Sequence, residues 1–229
     1  MLHRPHEPRA VSLRRGAALL RSMTPAVPRV SLLSRSEWGA PPTGPETRPI
    51  GPVRQIVVHH TAQGFSYASK ATVSAADGKR ALAAVRAAHT DRDFGDVGYH
   101  FLVDGAGRRY QGRAYLAAGS FGPGRTPPKL ALGSHVSGLN TGRIGVSLLG
   151  CFGGGAGEKG CDDVPSAAAV GSLVELLAAL CLAYDAVPAQ IVGHRDLANT
   201  VCPGRNLYAR ISTLRAAVAV AVSHRTTEQ

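Results

Sequence analysis

The sequence predicts an α/β fold built on a single mixed β-sheet flanked by helices. Three observations carry that expectation. Short β-branched runs alternate with amphipathic helical stretches. One strand pair is joined by the tight segment Asp104-Gly105-Ala106-Gly107, a hairpin signal that breaks an all-parallel pattern. The chain also lacks an internal repeat, and its 229 residues suit one domain with extensions.

The elements follow in order. Residues 1–33 hold six arginines and one glutamate and read as a basic, disordered or processed N-terminal segment. Its longest apolar piece, Ala17 to Leu20, ends at Arg21, which is short for a signal-peptide core of about 7–15 residues. The domain is expected over 34–222, with a short tail at 223–229. Ile56 to Val58 are consecutive and β-branched, a buried central strand ending at His59-His60. Gly78 to His89 reads as a helix with Leu82, Val85 and His89 on one face. Tyr99 to Arg113 carries the hairpin, and Arg143 to Leu149 another strand. Ser166 is the expected N-cap of a helix carrying Leu173, Leu176, Leu177 and Leu180. Ala189 to His194 supplies a last buried strand. Leu207, Ile211, Leu214, Val218 and Val222 mark one closing amphipathic helix. Two glycine-rich loops, 117–133 and 150–163, read as surface insertions.

Composition narrows the function classes. Hydrophobic residues make up 44% of the chain, enough for a core, and no apolar run approaches the roughly 18 residues of a membrane span. The formal charge is +11, of which +5 lies in residues 1–33, so the excess is spread along the chain. A spread basic surface attracts polyanions in general. Aromatic residues are only 5% and are not interleaved with the basic ones, which argues against nucleic acid as the partner.

His59-His60, His194 and Cys202 stand at expected strand ends or the loops after them. Imidazole nitrogen and thiolate sulfur are zinc ligands. Three protein ligands plus water make a catalytic site, and four make a structural one. Each signal alone is weak: a histidine pair is equally a core or surface feature, and an isolated cysteine is usually a small buried hydrophobe. Cys151 and Cys161 are candidates for a disulfide closing the second glycine-rich loop.

Five ordered blocks then carry a resemblance: SRSEWGA (34–40), IVVHHTA (56–62), DVGYHFLVDGAGRRYQGR (96–113), GSHVSGLNTGRIGVSLLG (133–150) and GHRDLANTVCPG (193–204). The chain resembles the zinc-dependent N-acetylmuramoyl-L-alanine amidases, shared by phage amidase-type lysozymes, bacterial type 2 amidases and peptidoglycan recognition proteins. The resemblance implies their mixed-sheet fold and one Zn2+ ion held by His59, His194 and Cys202. It implies catalytic roles for Tyr99 and for Thr200, which stands where some phage members have lysine. It implies muropeptide contacts from His60, Arg113, His135 and Asn140. The expected activity is hydrolysis of the amide between N-acetylmuramic acid and L-alanine in peptidoglycan, by a monomer acting at the cell wall, outside the cytoplasm or held inside until release. The alternative is a recognition module that binds without turnover. Non-catalytic relatives typically lack the cysteine that Cys202 matches. Relative to the family, residues 117–132 are an insertion expected to reshape the substrate groove.

Overall fold

Strand β1, Gln55–His60, is an interior strand of the sheet, and its apolar run satisfies both faces at once. The computed structural model describes residues 30–62, 64–153 and 161–223. Strands β2 (Phe101–Val103), β3 (Arg109–Gln111), β6 (Arg143–Leu148) and β7 (Ile191–Gly193) complete a five-stranded sheet in the order β3-β2-β6-β1-β7. Its pairs are parallel except β2 with β3, the expected hairpin. A separate two-stranded sheet pairs β4 (Tyr115–Ala117) with β5 (Lys129–Leu130).

Side chains alternate across the sheet, so each strand serves two cores. On one face Ile56, Val58, Phe101, Ile144, Val146 and Leu148 pack against α2 (Ala167–Ala183) and α4 (Ile211–Ser223). On the other, Leu102 and Tyr110 pack against α1 (Ala75–Thr90) and Trp38. Each fully buried aliphatic side chain contributes roughly 1.5–3 kcal/mol through area removed from water. Ser74 and Ser166 cap α1 and α2, accepting the N–H of Asp77 and Ala169. Within α2, Leu173, Leu176, Leu177 and Leu180 are all fully buried, as the periodicity requires.

Four features differ from the sequence reading or complete it. The closing helix is two helices, α3 (Arg205–Tyr208) and α4, with a turn at Ala209 and Arg210 between them. Leu207 and Ile211 stand four apart and both reach the core across the turn, so apolar spacing alone reads straight through it. The insertion at 117–132 packs on the α2 side of the sheet, and none of its residues borders the cavity described below. Phe121 sits 5.7 Å from Phe101 and 6.3 Å from Tyr184 between ring centroids, and the Tyr184 hydroxyl donates to Pro128 O at 2.7 Å. Packing begins before Ser34: Val30 is buried, and Leu33 pairs with β3 through hydrogen bonds to Arg109 and Gln111. Cys151 and Cys161 form the disulfide. Of the expected terminal segments, residues 1–29 and 224–229 lie outside the described residues, as do 154–160 of the second glycine-rich loop.

Candidate metal centre and cleft

Parallel pairing brings the histidines together. Val58 is in register with Gly193, so His59 and His194 leave neighbouring strands side by side, at the carboxyl ends where ligands bind in such sheets. Their ring centroids are 4.5 Å apart. His194 opens a single 3-10 turn, 194–196, held by Asp196, whose Oδ2 accepts the Gly193 N–H at 2.8 Å. The Tyr208 hydroxyl donates to the other oxygen of Asp196 at 2.5 Å. The loop after the turn folds back because Arg195 N–H donates to Cys202 O at 3.0 Å and the Arg195 guanidinium donates to Val201 O. Cys202 Sγ therefore comes within 3.6 Å of His59 Nδ1 and accepts the His60 N–H at 3.4 Å. Gly204 ends this loop at φ +87°, where a Cβ would lie 2.5 Å from Phe152 O, so no other residue passes the 152–153 backbone this closely.

The three residues fit a single zinc ion. Their ligand atoms all lie within 4.8 Å of one another, and among the described residues no other group of histidine, cysteine and acidic side chains converges this way. A tetrahedral ion with bonds of about 2.0 Å to nitrogen and 2.3 Å to sulfur has an N···S edge of roughly 3.5 Å, close to the 3.6 Å between His59 Nδ1 and Cys202 Sγ. Burial, reinforced for His59 by the neighbouring His135, lowers the pKa of His59 and His194, and a metal requires the neutral imidazole.

Beside these ligands opens a cavity of about 530 Å³, bordered by His60, His89, Arg92, Tyr99 and Thr200 among others. The Tyr99 ring lies 5.0 Å from that of His59 and 5.1 Å from that of His89. Its hydroxyl is 3.5 Å from His60 O, the outer limit of a hydrogen bond. Burial first, then the Cys202 sulfur, raises the Tyr99 pKa, so the group is a proton-bearing donor. His60 is held near a pKa of about 4, chiefly by burial, and its Nδ1 accepts the Phe152 N–H at 3.3 Å. Thr200 Oγ1 accepts the Cys202 N–H at 3.2 Å.

Of the residues singled out from the sequence, His59, His194, Cys202, Tyr99, Thr200 and His60 thus gather at one point. The other three do not border the cavity. His135 is 8% exposed and packs against His59, with its Nδ1 3.0 Å from His59 Nε2. Asn140 turns its Oδ1 inward to the N–H groups of His135 and Val136, at 2.8 and 2.9 Å. Arg113 is buried and donates to Val97 O at 2.9 Å and Phe94 O at 3.2 Å. Conversely, His89 and Arg92 border the cavity although the sequence marks no role there for either. The available signal was their spacing of three, which puts both on one side of the end of α1. His89 also packs as its apolar helix face predicts, and its Nδ1 accepts the Gly98 N–H at 2.9 Å.

Comparison with known proteins gives one consistent pattern. Residues 49–205 match the N-acetylmuramoyl-L-alanine amidase family. Peptidoglycan-recognition protein SC2 of Drosophila melanogaster is 30% identical over 196 residues, covering 82% of this chain and 88% of its own. Human peptidoglycan recognition protein 3 is 29% identical over 82% of this chain and 48% of its own. Among solved structures, Drosophila PGRP-LB superposes with a TM-score of 0.61 at 25% identity, covering 80% of this chain and 93% of its own. Peptidoglycan recognition protein-LE, solved in complex with tracheal cytotoxin, a monomeric diaminopimelic acid-type peptidoglycan, gives 0.61 at 27% identity over 80% and 92%. The described residues include no helix long and apolar enough to cross a membrane.

Proposed function

The chain belongs to the N-acetylmuramoyl-L-alanine amidase family, and from that premise we propose that it hydrolyses the amide between the lactyl group of N-acetylmuramic acid and L-alanine in peptidoglycan. One observation carries the reading: the ligand atoms of His59, His194 and Cys202 converge within 4.8 Å beside the cleft. A zinc ion held by these residues supplies Lewis acidity toward the amide carbonyl and toward water. The substrate is a wall polymer, so the site of action is outside the cytoplasm. The domain responsible is taken as 34–222.

The protein's own groups divide the remaining work. Hydrolysis of an amide develops negative charge on the carbonyl oxygen. Tyr99, kept protonated by burial, donates to that oxygen, and such a donor is worth roughly 3–4 kcal/mol of barrier. With Nδ1 committed as an acceptor, neutral His60 carries its proton on Nε2 and serves as a donor to substrate. Thr200 Oγ1 accepts the Cys202 N–H, and its O–H stays available to donate to substrate or water. Arg92 brings a positive charge to the cavity wall, suited to the carboxylates of a stem peptide. Among the described residues no carboxylate borders the cavity, and no acidic residue is assigned as general base.

The names of the similar proteins favour a second reading, binding without turnover, which uses the same cleft. Mass spectrometry of purified peptidoglycan after digestion separates the two. Turnover releases stem peptides with a free L-alanine amino terminus and leaves the glycan strand intact. The chelated protein and Cys202→Ser should release none. Zinc-loaded protein that holds the wall and releases nothing would leave only the recognition role.

A further inference from the structure

We infer that His135 is a positioning residue: it fixes the tautomer and plane of the His59 imidazole so that the Nδ1 lone pair faces Cys202 Sγ. The inference rests on His59 being the metal ligand of the proposed hydrolase, and it assigns His135 a role other than muropeptide contact.

The assignment follows from a chain of donors and acceptors. His135 Nε2 is 3.0 Å from Arg143 O. A carbonyl can only accept, so His135 Nε2 carries the hydrogen. A neutral imidazole has one N–H, which leaves His135 Nδ1 bare and able only to accept. Its partner, at 3.0 Å, is His59 Nε2. The hydrogen there therefore belongs to His59 Nε2, and His59 Nδ1 is left bare, 3.6 Å from Cys202 Sγ. Both rings are buried, where an uncompensated charge is costly. The opposite tautomer of His59 would set two bare nitrogens against each other and aim a hydrogen at the sulfur.

The seat of His135 is built for this contact. Asn140 Oδ1 accepts the N–H of both His135 and Val136, pinning the backbone from which the ring projects. The ring then lies over Gly145 of β6. A Cβ at Gly145 would come 2.7 Å from ring atoms Cγ and Cδ2, so only glycine leaves the space. Gly133 is equally close, with a Cβ there 2.7 Å from Cδ2. The His59 and His135 rings meet edge to face, at 86° and 5.0 Å between centroids. A partner that orients a metal-binding histidine typically changes metal affinity 10–100-fold when lost.

The test combines imidazole 15N NMR of the metal-free full chain with zinc competition against a chromophoric chelator. The expected result is a His59 that is Nε2–H in the wild type. His135→Ala should lose that signature and bind zinc about 10–100-fold more weakly. His135→Gln, whose amide can accept from His59 and donate to Arg143 O, should recover most of both. A wild-type His59 protonated on Nδ1, or a folded His135→Ala that binds zinc as tightly as wild type, overturns the inference. The wild-type spectrum decides even where His135→Ala does not fold. Failure of the hydrolase reading shows separately, as wild-type protein that binds no zinc or releases no peptide while His59 keeps its Nε2–H tautomer.

Discussion

Replacing Asp96 by Asn should unfold the domain far more easily than its distance from the metal ligands suggests. Asp96 is 1% exposed and gathers three partners: Arg35 (2.9 Å to Nη1 and 3.2 Å to Nη2), Arg86 Nε at 3.2 Å and the Ala114 N–H at 3.3 Å. Arg35 is itself 2% exposed, so the substitution leaves a guanidinium buried without its counter-charge. Removing one member of a buried pair costs about 3–5 kcal/mol. Arg35 keeps two carbonyl acceptors, Pro41 O and Gly112 O, both at 2.5 Å, which places the loss near the lower end, about 3 kcal/mol. For a domain of this size that is a fall in Tm of roughly 6–12 °C. Urea unfolding of the metal-free protein gives the first number and calorimetry the second. Arg35→Met combined with Asp96→Asn removes both charges and should cost less than the sum of the single changes. A single-variant loss below about 1 kcal/mol, or a double variant that costs the full sum, would refute the argument that this ion pair ties the first matched block to the loop before Tyr99.

Two other outcomes follow from the site. Tyr99→Phe removes the hydroxyl that donates to the developing oxyanion and should lower kcat about 10²–10³-fold. Its weak contact with His60 O, at 3.5 Å, predicts little change in stability or zinc content; near-normal turnover would remove Tyr99 from the mechanism. The metal-free fold should also be acid-labile. His89 and His100 are buried with pKa values of about 4, against 6.5 in an open chain. Between these values the unfolded chain binds more protons, so the stability these groups contribute is complete above pH 6.5 and lost as pH falls toward 4, by roughly 3 kcal/mol each. Urea midpoints measured from pH 7.5 to 4.5 check this, and a flat profile would contradict it.

Much of the architecture was legible because hydrophobic period reports burial locally. Ile56 to Val58, the Asp104–Gly107 turn and the leucines of α2 each declare their element within a few residues. The closing helix was misread for the same reason, since a period that survives a two-residue turn cannot reveal the turn. Nothing in the glycines and prolines of the insertion at 117–132 says which face of the sheet Phe121 will find.

The chain by itself determined the element types, the family and the likeness of His59, His194 and Cys202 to a ligand set. Only the tertiary structure decided which atoms of that set meet. Strands β1, β6 and β7 are far apart in sequence and become neighbours through parallel pairing, and their register sets His59 beside His194 and Ser147. The same pairing lays Gly145 under the His135 ring, and at the other edge of the sheet Arg35 reaches Asp96 across 61 residues. Contacts of that kind depend on distances of a few tenths of an ångström between remote segments, and residue order carries no measure of such distances.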